Sequence, residues 1–531
     1  GSEGGVNFAV NPDKNAWFCF RHNSGGGSMS LIAVLEKVID CSEAVSGGLR
    51  GKRFMEVKDI AKEKYGLKEA VSRMPIDIGV AKINKEVIYA QLKKDFFFEP
   101  KPGIKKVSPF GIQKIAQYFV DNYNIKTMGG EKYREIYLYE NGYYRPEGSS
   151  FFKAELEKIL EEAWSNHWQN EIVEKVKNLS YIKREEFFVD KNLINLKNGV
   201  YNLKTKELLP HDPNNLFLHQ IPVNYNPNAD CPKIKQFLSE ILDEKDIPVV
   251  FEWFGYALYR QYFIKKALIL SGEGNTGKTT LLKVKTRFFG PANVTDISLQ
   301  KIGLNNFATA SLYNKHVNIH DDLSLTDVAD NGSFKMATGG GHISGEYKFG
   351  DRFIFENFAK LTFSCNKIPS PKDIDDNAYF SRWILIKFKK AISPEKIDQF
   401  ITEKITTEEE LSGLLNLALR SLDHLLIKGQ FSYVPDTNLI KIEMLKSSSS
   451  IADFAYNCLE KEIGAFISKE KMYENYAQYT NETELSVETK DNLGKKLSKY
   501  VGYVVDRKGM EDGNEVRGWG NVKLKDAKTD M

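Results

Sequence analysis

A short glycine-rich stretch between two apolar runs narrows the folds open to this chain more than any other feature. Residues 267–282 read ALILSGEGNTGKTTLL and contain the spacing G-x-x-x-x-G-K-T, with Gly272, Gly277, Lys278 and Thr279 in the named positions. The apolar run before the first glycine predicts a buried strand, and the apolar residues after Thr279 recur at helical spacing. A strand, a glycine-rich turn and a helix in this order form the setting in which that spacing binds the phosphates of a nucleotide.

The residue types of this loop fit a triphosphate and its metal ion. Glycines let the backbone curl until successive N–H groups point at a phosphate, and the following helix adds the positive end of its dipole. In such a loop Lys278 reaches the β- and γ-phosphates, and the hydroxyl of Thr279 holds Mg²⁺. An ordinary glycine-rich turn is the alternative, and the strict spacing disfavours it. We therefore predict that ATP binds Gly272, Glu273, Gly274, Asn275, Thr276, Gly277, Lys278, Thr279 and Thr280.

Length and composition are those of a globular chain with several domains. The 531 residues suggest about three or four domains, and the 42% hydrophobic and 27% charged residues are ordinary for a soluble protein. No uncharged apolar run reaches roughly 18 residues, so we expect no membrane span. Five scattered cysteines form no disulfide pattern and favour a cytoplasmic protein. Because the net charge is only +3, a nucleic-acid partner must meet a local basic surface.

Composition shifts and turn signals divide the chain into four predicted regions, 1–100, 101–245, 246–430 and 431–531. In the first region we predict a strand pair, a glycine-rich turn and a helix, followed by the segment FFFEPKPGIKK as a linker. Cys19 and His22 have the spacing of half a zinc site. Two ligands are too few for zinc, so a buried cysteine and a surface histidine form the favoured interpretation.

The second and fourth regions carry hairpins and short helices. Asn-Gly pairs at 141–142 and 198–199 predict turns between strands. After residue 450 we predict three short helices, the first reaching Ile463, and a closing hairpin. That order suggests a winged-helix module, although other small domains share it. Further helices are predicted over 110–123, 151–163, 232–242 and 249–262.

Polar residues follow two predicted strands downstream of the loop. Residues 316–320 form a strand-like run that ends at Asp321 and Asp322. One carboxylate can hold Mg²⁺ through water, and the other can orient or deprotonate an attacking water. A helix-capping pair is the alternative. The next run, 360–364, leads to Asn366, whose amide can contact the γ-phosphate or the water, although asparagine is also common in turns.

Two more segments add basic side chains. Arg382 precedes another predicted strand, where an arginine can reach the γ-phosphate in a neighbouring subunit and stabilise the charge of the transition state. A glycine-rich segment before it predicts a hairpin that presents Lys348 and Phe349 to a nucleic-acid strand. A surface ion pair for Arg382 and an ordinary surface hairpin are the alternatives.

These motifs resemble, in their order, the superfamily 3 helicases in the group of phage- and plasmid-encoded primase-helicases. The ordered set is the phosphate loop, the Asp-Asp strand, the segment KMATGGGHISGEYKF, the Asn366 strand and Arg382. The resemblance covers roughly residues 105–525 and is sharpest over 265–390. It implies a multidomain α/β and α+β fold, with a P-loop AAA+-like ATPase core between a helical N-terminal region and a C-terminal winged-helix module.

The resemblance also implies an activity and its partners. Such enzymes are ATP-driven motors, usually hexameric rings, that translocate 3′ to 5′ on single-stranded DNA. The implied partners are single-stranded and forked DNA, further copies of the chain, and a primase-polymerase domain that precedes residue 1; no membrane is implied. Residues 1–100 resemble the stem after such a domain. The implied catalytic residues are Asp321, Asp322, Asn366 and Arg382, the metal ligands Thr279 and Asp321, and the DNA contacts Lys348 and Phe349.

Two other functions compete with this interpretation. An origin-binding initiator would use ATP as an assembly switch and would bind DNA without processive unwinding. A primase is disfavoured, because the chain offers no convincing set of primase carboxylates. The acidic run at 373–375 fits a solvated turn better than such a set.

Overall fold

The computed structural model of the protein describes residues 8–11, 16–19, 24–26, 28–44, 53, 56–57, 60, 64, 79–130, 133–187, 189–302, 305–323, 331–348, 350–369 and 373–525. The chain divides into two compact units, residues 1–115 with 155–165 and residues 116–154 with 166–531. The α-helices are α1 (Ser28–Leu35), α2 (Gly79–Phe96), α3 (Pro109–Asn122), α4 (Gly148–Leu160), α5 (Asn166–Leu179), α6 (Pro232–Ile241), α7 (Ile247–Leu258), α8 (Lys278–Phe289), α9 (Asn306–Ala310), α10 (Asn331–Ala337), α11 (Asn377–Phe380), α12 (Ile401–Ile405), α13 (Glu408–Lys428), α14 (Thr437–Ser448), α15 (Ser450–Cys458), α16 (Lys469–Glu482) and α17 (Lys490–Tyr500).

The β-strands group into several small sheets and one larger sheet. They are β1 (Phe8–Asn11), β2 (Ala16–Cys19), β3 (Ser24–Gly26), β4 (Phe97–Lys101), β5 (Ile104–Val107), β6 (Ile125–Gly129), β7 (Arg134–Glu140), β8 (Tyr143–Arg145), β9 (Leu193–Leu196), β10 (Gly199–Asn202), β11 (Glu207–Leu209), β12 (Ala267–Gly272), β13 (Val294–Thr295), β14 (Val317–His320), β15 (His342–Glu346), β16 (Arg352–Glu356), β17 (Lys360–Cys365), β18 (Trp383–Phe388), β19 (Leu459–Ser468), β20 (Val505–Glu511) and β21 (Asn514–Leu524).

A small antiparallel sheet begins the first unit. β2 lies between β1 and β3, and its Trp17 and Cys19 are buried in a cluster that includes Ile32 of α1. The predicted strand pair and helix are confirmed, but part of the glycine-rich segment forms the third strand. His22 lies outside the described residues, so the zinc hypothesis for Cys19 and His22 stays a prediction.

The segment predicted to be a linker is a hairpin. β4 and β5 pair antiparallel, with Lys101 opposite Ile104. The turn contains Pro102 and Gly103, and Gly103 has a φ of +81°. The linker prediction was wrong because proline and glycine mark a tight turn between strands as readily as an unstructured connection.

The hairpin turns and helices predicted for residues 105–262 are confirmed, with ends shifted by a few residues. β7 and β8 meet at Asn141 and Gly142, whose φ values are 53° and 95°. A two-residue turn of this type needs left-handed backbone at both positions, which asparagine and glycine tolerate. β9 and β10 pair with Leu196 opposite Gly199, so the two turn residues are Lys197 and Asn198, one position before the predicted Asn198-Gly199 pair. Helices α3, α4, α6 and α7 correspond to the four predicted helices.

Five parallel strands form the largest sheet of the second unit, in the order β13–β14–β17–β12–β18. Leu268 and Leu270 of β12 belong to one hydrophobic core, and Ile269 between them belongs to another. Side chains alternate across a strand, so this sheet is buried on both faces, as parallel sheets usually are. The α/β character of the central region is therefore confirmed.

Helix α8 carries a buried lysine, Lys285, whose side chain contacts the central sheet and α7. Lys285 of α8 donates a hydrogen bond to the Thr362 hydroxyl at 3.0 Å, and the Trp253 indole donates to the same oxygen at 3.0 Å. Its Nζ lies 5.8 Å from the centre of the Trp253 ring and 5.7 Å from that of Phe254. Burial lowers the pKa of Lys285 to about 7.

Replacing this lysine should alter the pH dependence of stability. Between pH 7 and 10.5 the unfolded chain holds the Lys285 proton while the folded chain releases it, so this residue makes the folded state gain stability as pH rises. Below about pH 7 the cost of burying the charge is fully present. We expect Lys285→Met to raise the free energy of unfolding at pH 7 by on the order of 2 kcal/mol. The gain should shrink towards pH 10 in denaturant titrations.

The control is Lys283→Met, which replaces an exposed lysine on the same helix, and equal pH profiles of stability for both variants would contradict the prediction.

The C-terminal segment has the element order α15–β19–α16–α17–β20–β21, with strand order β19–β21–β20 in its sheet. The predicted second and third helices and the closing hairpin are confirmed. The first helix ends at Cys458, and the prediction that it reaches Ile463 was wrong. Residues from Leu459 onward pair with β21, and alternate residues Glu460 and Glu462 both bind Lys523. Tertiary pairing overrides the local helical preference there.

All five cysteines are free thiols, which agrees with the absence of a disulfide pattern in the sequence. In the part of the chain that the structure describes, no helix has the length and apolarity to cross a bilayer.

Candidate functional site: a cavity at the carboxyl edge of the central sheet

The strand order brings the predicted loop and acidic residues to one edge of the sheet. β12 lies next to β17, and β17 lies next to β14, all in the same direction. The segments that follow these strands therefore meet at the carboxyl ends, where ligands bind in open α/β sheets. A cavity of about 930 Å³ opens there. Its wall includes Gly274, Asn275, Thr276, Gly277, Lys278, Thr279, Thr280, Asp321, Asp322 and Asn366.

The backbone of the loop between β12 and α8 is tightly curled. Asn275 has a φ of 58° and Gly277 a φ of 91°, both in the left-handed region. A Cβ added at Gly277 would also lie 3.0 Å from Cγ2 of Ile241. Glycine is therefore needed at this position for its conformation and for the close approach of α6.

Lys278 is folded onto the loop that precedes it. Its Nζ donates to the carbonyl oxygens of Gly272 and Glu273, both at 2.6 Å, and lies 3.3 Å from the hydroxyl of Thr276. Only 7% of the residue is exposed. Burial lowers the pKa of Lys278, and the nearby Asp321 carboxylate opposes that shift. The ammonium group thus lies at the floor of the cavity with carbonyl partners that an anionic ligand can replace.

Two hydroxyl groups orient Asp321. The Thr279 hydroxyl donates to Oδ2 at 3.1 Å, and the Ser364 hydroxyl donates to Oδ1. The backbone N–H of Leu323 donates to the Ser364 carbonyl at 2.7 Å, which ties the turn after β14 to the end of β17. Asp321 is consequently held beside the first turn of α8, and Asp322, with a φ of 57°, follows it at the cavity wall.

Asn366 directly follows β17 and is exposed at the cavity wall. The structure thus brings together the loop, both carboxylates and this amide. Chain positions separated by about ninety residues meet because β12, β14 and β17 are neighbours in the sheet.

Arg382 lies at the opposite end of the same sheet. Its carbonyl accepts from the N–H of Ala267, the first residue of β12, whereas Gly272 at the other end of β12 lies opposite Phe388. Five residue steps along a strand span roughly 17 Å. The structure therefore does not bring Arg382 into the cavity of its own chain.

The side chain of Arg382 is half-buried and only partly satisfied. Its Nη1 donates to the Ala378 carbonyl, and no described residue accepts a hydrogen bond from its buried Nε. The turn that carries it is fixed to α10, because Phe334 stacks on Trp383 at 4.7 Å between ring centres. Burial lowers the pKa of Arg382, and the nearby Asp376 carboxylate opposes this shift.

The predicted hairpin is present as β15 and β16, with Glu346 opposite Arg352. Lys348 is exposed at its tip. Phe349 lies outside the described residues, so its predicted contact with DNA stays a prediction.

Sequence reasoning missed two parts of the site. Ser364 is a polar residue at the carboxyl end of an otherwise apolar strand, and that position was the available signal. The segment from Lys390 to Ile401 also borders the cavity, although nothing in its composition distinguishes it from a surface connection.

Comparisons with known proteins match two parts of the chain. Residues 86–243 match a family model described as D5 N terminal like, and residues 270–382 match a family of unknown function, DUF5906. The first match supports a resemblance to primase-helicase-type replication proteins of phages and viruses.

Solved structures of the NrS-1 C-terminal region are also similar. An A-form apo structure of that region is 12% identical with a TM-score of 0.42, and the match covers 76% of this chain and 97% of that chain. A second apo structure is 12% identical with a TM-score of 0.41, and the match covers 78% and 99%. A likeness this remote does not establish a shared function.

Proposed function

We propose that the protein is an ATP-dependent DNA helicase, a 3′–5′ translocase on single-stranded DNA that acts in the replication of a plasmid or virus. The observation that carries this proposal is the cavity where the glycine-rich loop, Asp321, Asp322 and Asn366 meet. A P-loop of this kind is the general device for binding nucleoside triphosphates. The match of residues 86–243 supports the assignment to DNA replication.

The residues around Thr279 fit a magnesium ion bound together with a triphosphate. Magnesium usually takes one or two carboxylates plus phosphate oxygens and water, and the Thr279 hydroxyl and Asp321 Oδ2 are 3.1 Å apart. When bound, the ion would neutralise charge that develops on the phosphates. Lys278 would exchange its carbonyl partners for phosphate oxygens. Asp322 would orient or deprotonate the attacking water, and Asn366 would sense the γ-phosphate.

Ser364 acts as a positioning residue in this proposal, because its hydroxyl fixes Asp321. We expect Ser364→Ala to raise the Mg²⁺ concentration for half-maximal ATP hydrolysis by about tenfold, since removing such outer partners weakens metal sites by that order. The rate at saturating Mg²⁺ should change little. Ser364→Thr retains the hydroxyl and should restore the wild-type Mg²⁺ dependence, whereas an unaltered dependence in Ser364→Ala would remove this role.

The remaining parts of the proposal concern assembly and DNA. The chain would form a ring, most simply a hexamer, in which Arg382 reaches the site of the next subunit. Residues 246–430 would form the motor, 101–245 the preceding domain, 1–100 a primase stem, and 431–531 a winged-helix module that binds DNA. A primase-polymerase domain would precede residue 1 in a cytoplasmic replication protein.

The exposed Lys348 at the tip of the hairpin would contact the phosphates of the DNA strand. We expect Lys348→Ala to abolish unwinding of a forked duplex while retaining ATP hydrolysis. Because one phosphate contact is lost, the slope of the logarithm of the single-stranded DNA binding constant against the logarithm of salt concentration should become smaller by about one. The exposed Lys428→Ala on α13 serves as the control, and unchanged unwinding in Lys348→Ala would exclude the hairpin role.

The function itself is tested by ATP hydrolysis with and without single-stranded DNA, together with unwinding of forks that carry only a 3′ or only a 5′ tail. The proposal expects DNA-stimulated hydrolysis and unwinding of the fork with the 3′ tail. Hydrolysis that ignores DNA, combined with sequence-selective duplex binding, would instead favour the origin-binding initiator.

A further inference from the structure

The cavity beside the glycine-rich loop is lined by two chemically different groups of residues, a polar group and an apolar group that define its polar end and its apolar end. The end described above carries the ammonium, carboxylate and amide groups. The other end is lined by the apolar side chains of Phe237, Ile241, Ile392, Ile397 and Ile401. None of these residues belongs to the predicted nucleotide-binding set, and the phosphate chemistry gives them no role.

This apolar end begins directly beside the loop. Ile241 of α6 is the residue that a Cβ at Gly277 would meet at 3.0 Å. In the segment 389–401, which forms a second wall, the N–H of Ile392 donates to the Asn275 carbonyl at 2.9 Å. Both walls therefore contact the backbone that would hold the phosphates, so one ligand can span the two ends.

The second wall is fixed in place at its start. Lys389 binds the Asp243 carboxylate at 2.7 Å, and the Lys390 Nζ lies 3.5 Å from the Leu242 carbonyl. These contacts hold the segment 389–401 across from α6. The resulting cavity, about 930 Å³, is at the large end of the range that encloses whole organic ligands, so a triphosphate alone would leave the apolar end unfilled.

Two carboxylates lie among the apolar residues, and only one is available to a ligand. Asp398 binds the Lys404 ammonium at 2.6 Å and accepts from the Phe400 N–H at 2.9 Å. Glu240 is exposed on α6 and accepts from the Gln236 amide at 2.9 Å. No ion pair of Glu240 is formed within the described residues. Its carboxylate can therefore accept a hydrogen bond from an amino group on a ligand.

We propose that this apolar end is the nucleobase pocket of the protein, formed by α6 and the segment 389–401, and that Glu240 selects bases carrying an exocyclic amino group. The proposal rests on the nucleotide binding proposed above. A planar base would pack between Ile241 and Ile397, and its amino group would donate to the Glu240 carboxylate. ATP meets this requirement, whereas purine riboside triphosphate lacks the amino group.

The test measures Kd with Mg²⁺ for ATP, purine riboside triphosphate and inorganic tripolyphosphate, using the full chain. Ile397 is 46% exposed, so Ile397→Asp should fold, and Ile427→Asp at an 84% exposed position on α13 is the matched control.

We expect the wild type and the control to bind ATP at least about tenfold more tightly than tripolyphosphate. Ile397→Asp should lose most of that difference, because its added charge repels both ligands whereas only ATP would lose the contact to the base. Glu240→Ala should bind ATP and purine riboside triphosphate alike, whereas the wild type should prefer ATP by about tenfold.

Equal affinity of the wild type for ATP and tripolyphosphate would overturn the pocket, as would an Ile397→Asp variant that matches its control. An undiminished preference for ATP in Glu240→Ala would overturn the role of that carboxylate. Failure of every ligand to bind the wild type would instead overturn the proposed nucleotide-binding function itself.

Discussion

Replacing Lys278 by alanine should reduce ATP hydrolysis by at least about a hundredfold, because the ammonium group is the main positive charge at the floor of the cavity. In the structure it donates to the carbonyls of Gly272 and Glu273, and in the proposed complex it would donate to the phosphates. Both ATP and tripolyphosphate should bind more weakly. Steady-state hydrolysis and direct binding measure the two effects.

The matched control for this variant is Lys283→Ala, an exposed lysine on the same helix. The Lys283→Ala variant should hydrolyse ATP at close to the wild-type rate. Thermal unfolding of Lys278→Ala should also remain near the wild-type midpoint, because the loss of an ammonium that burial disfavours costs little stability. Hydrolysis that survives in Lys278→Ala would exclude the loop as the reaction site.

Replacing Arg382 by alanine should abolish DNA-stimulated hydrolysis while ATP binding persists. Arginines that complete a phosphoryl-transfer site from a neighbouring subunit contribute about a thousandfold or more to the rate. Arg382 lies at the far end of the sheet from its own cavity, so any such contribution must pass between subunits. Hydrolysis should therefore also depend on protein concentration in the wild type.

Mixed assemblies give a sharper test of this shared site. Arg382→Ala retains Lys278, and Lys278→Ala retains Arg382, so an equal mixture should rebuild on the order of a quarter of the sites. The mixture should hydrolyse ATP although each variant alone does not. Replacement of the exposed Arg420 by alanine controls for the loss of an arginine side chain as such. An inactive mixture of properly assembled variants would argue against a role between subunits.

The sequence predicted four of the five strands of the central sheet because each of the four carries a local signal, whereas the two-residue edge strand β13 was not predicted. The apolar runs of β12, β14, β17 and β18 and the turn residues of the loop are read directly from spacing and composition. The meeting of Asp321 and Asn366 with the loop also follows from one general rule, that parallel strands share an edge.

Other features depend on contacts that have no local signature. Leu459 continues an apparently helical run, yet it joins a strand because β21 is available for pairing. The wall at Ile392 and Ile397 borders the cavity through tertiary contacts, among them the Ile392 N–H bond to the Asn275 carbonyl and the Lys389–Asp243 ion pair. The role of the Ser364 hydroxyl in the site is evident only from the structure, in which the neighbouring strand β14 places Asp321 next to it. In each of these cases the structure is set by contacts with residues distant in the sequence, and not by the local secondary-structure propensity.

The position of β12 has a consequence for how the chain is made. Its two neighbours in the sheet, β17 and β18, are synthesised roughly ninety and one hundred and fifteen residues later, so during translation this apolar strand emerges long before either partner. Unpaired strand edges of this kind associate with one another. A nascent chain that stops before Lys360 therefore exposes β12 without either partner, and both edges of β12 are paired only when β18 is complete.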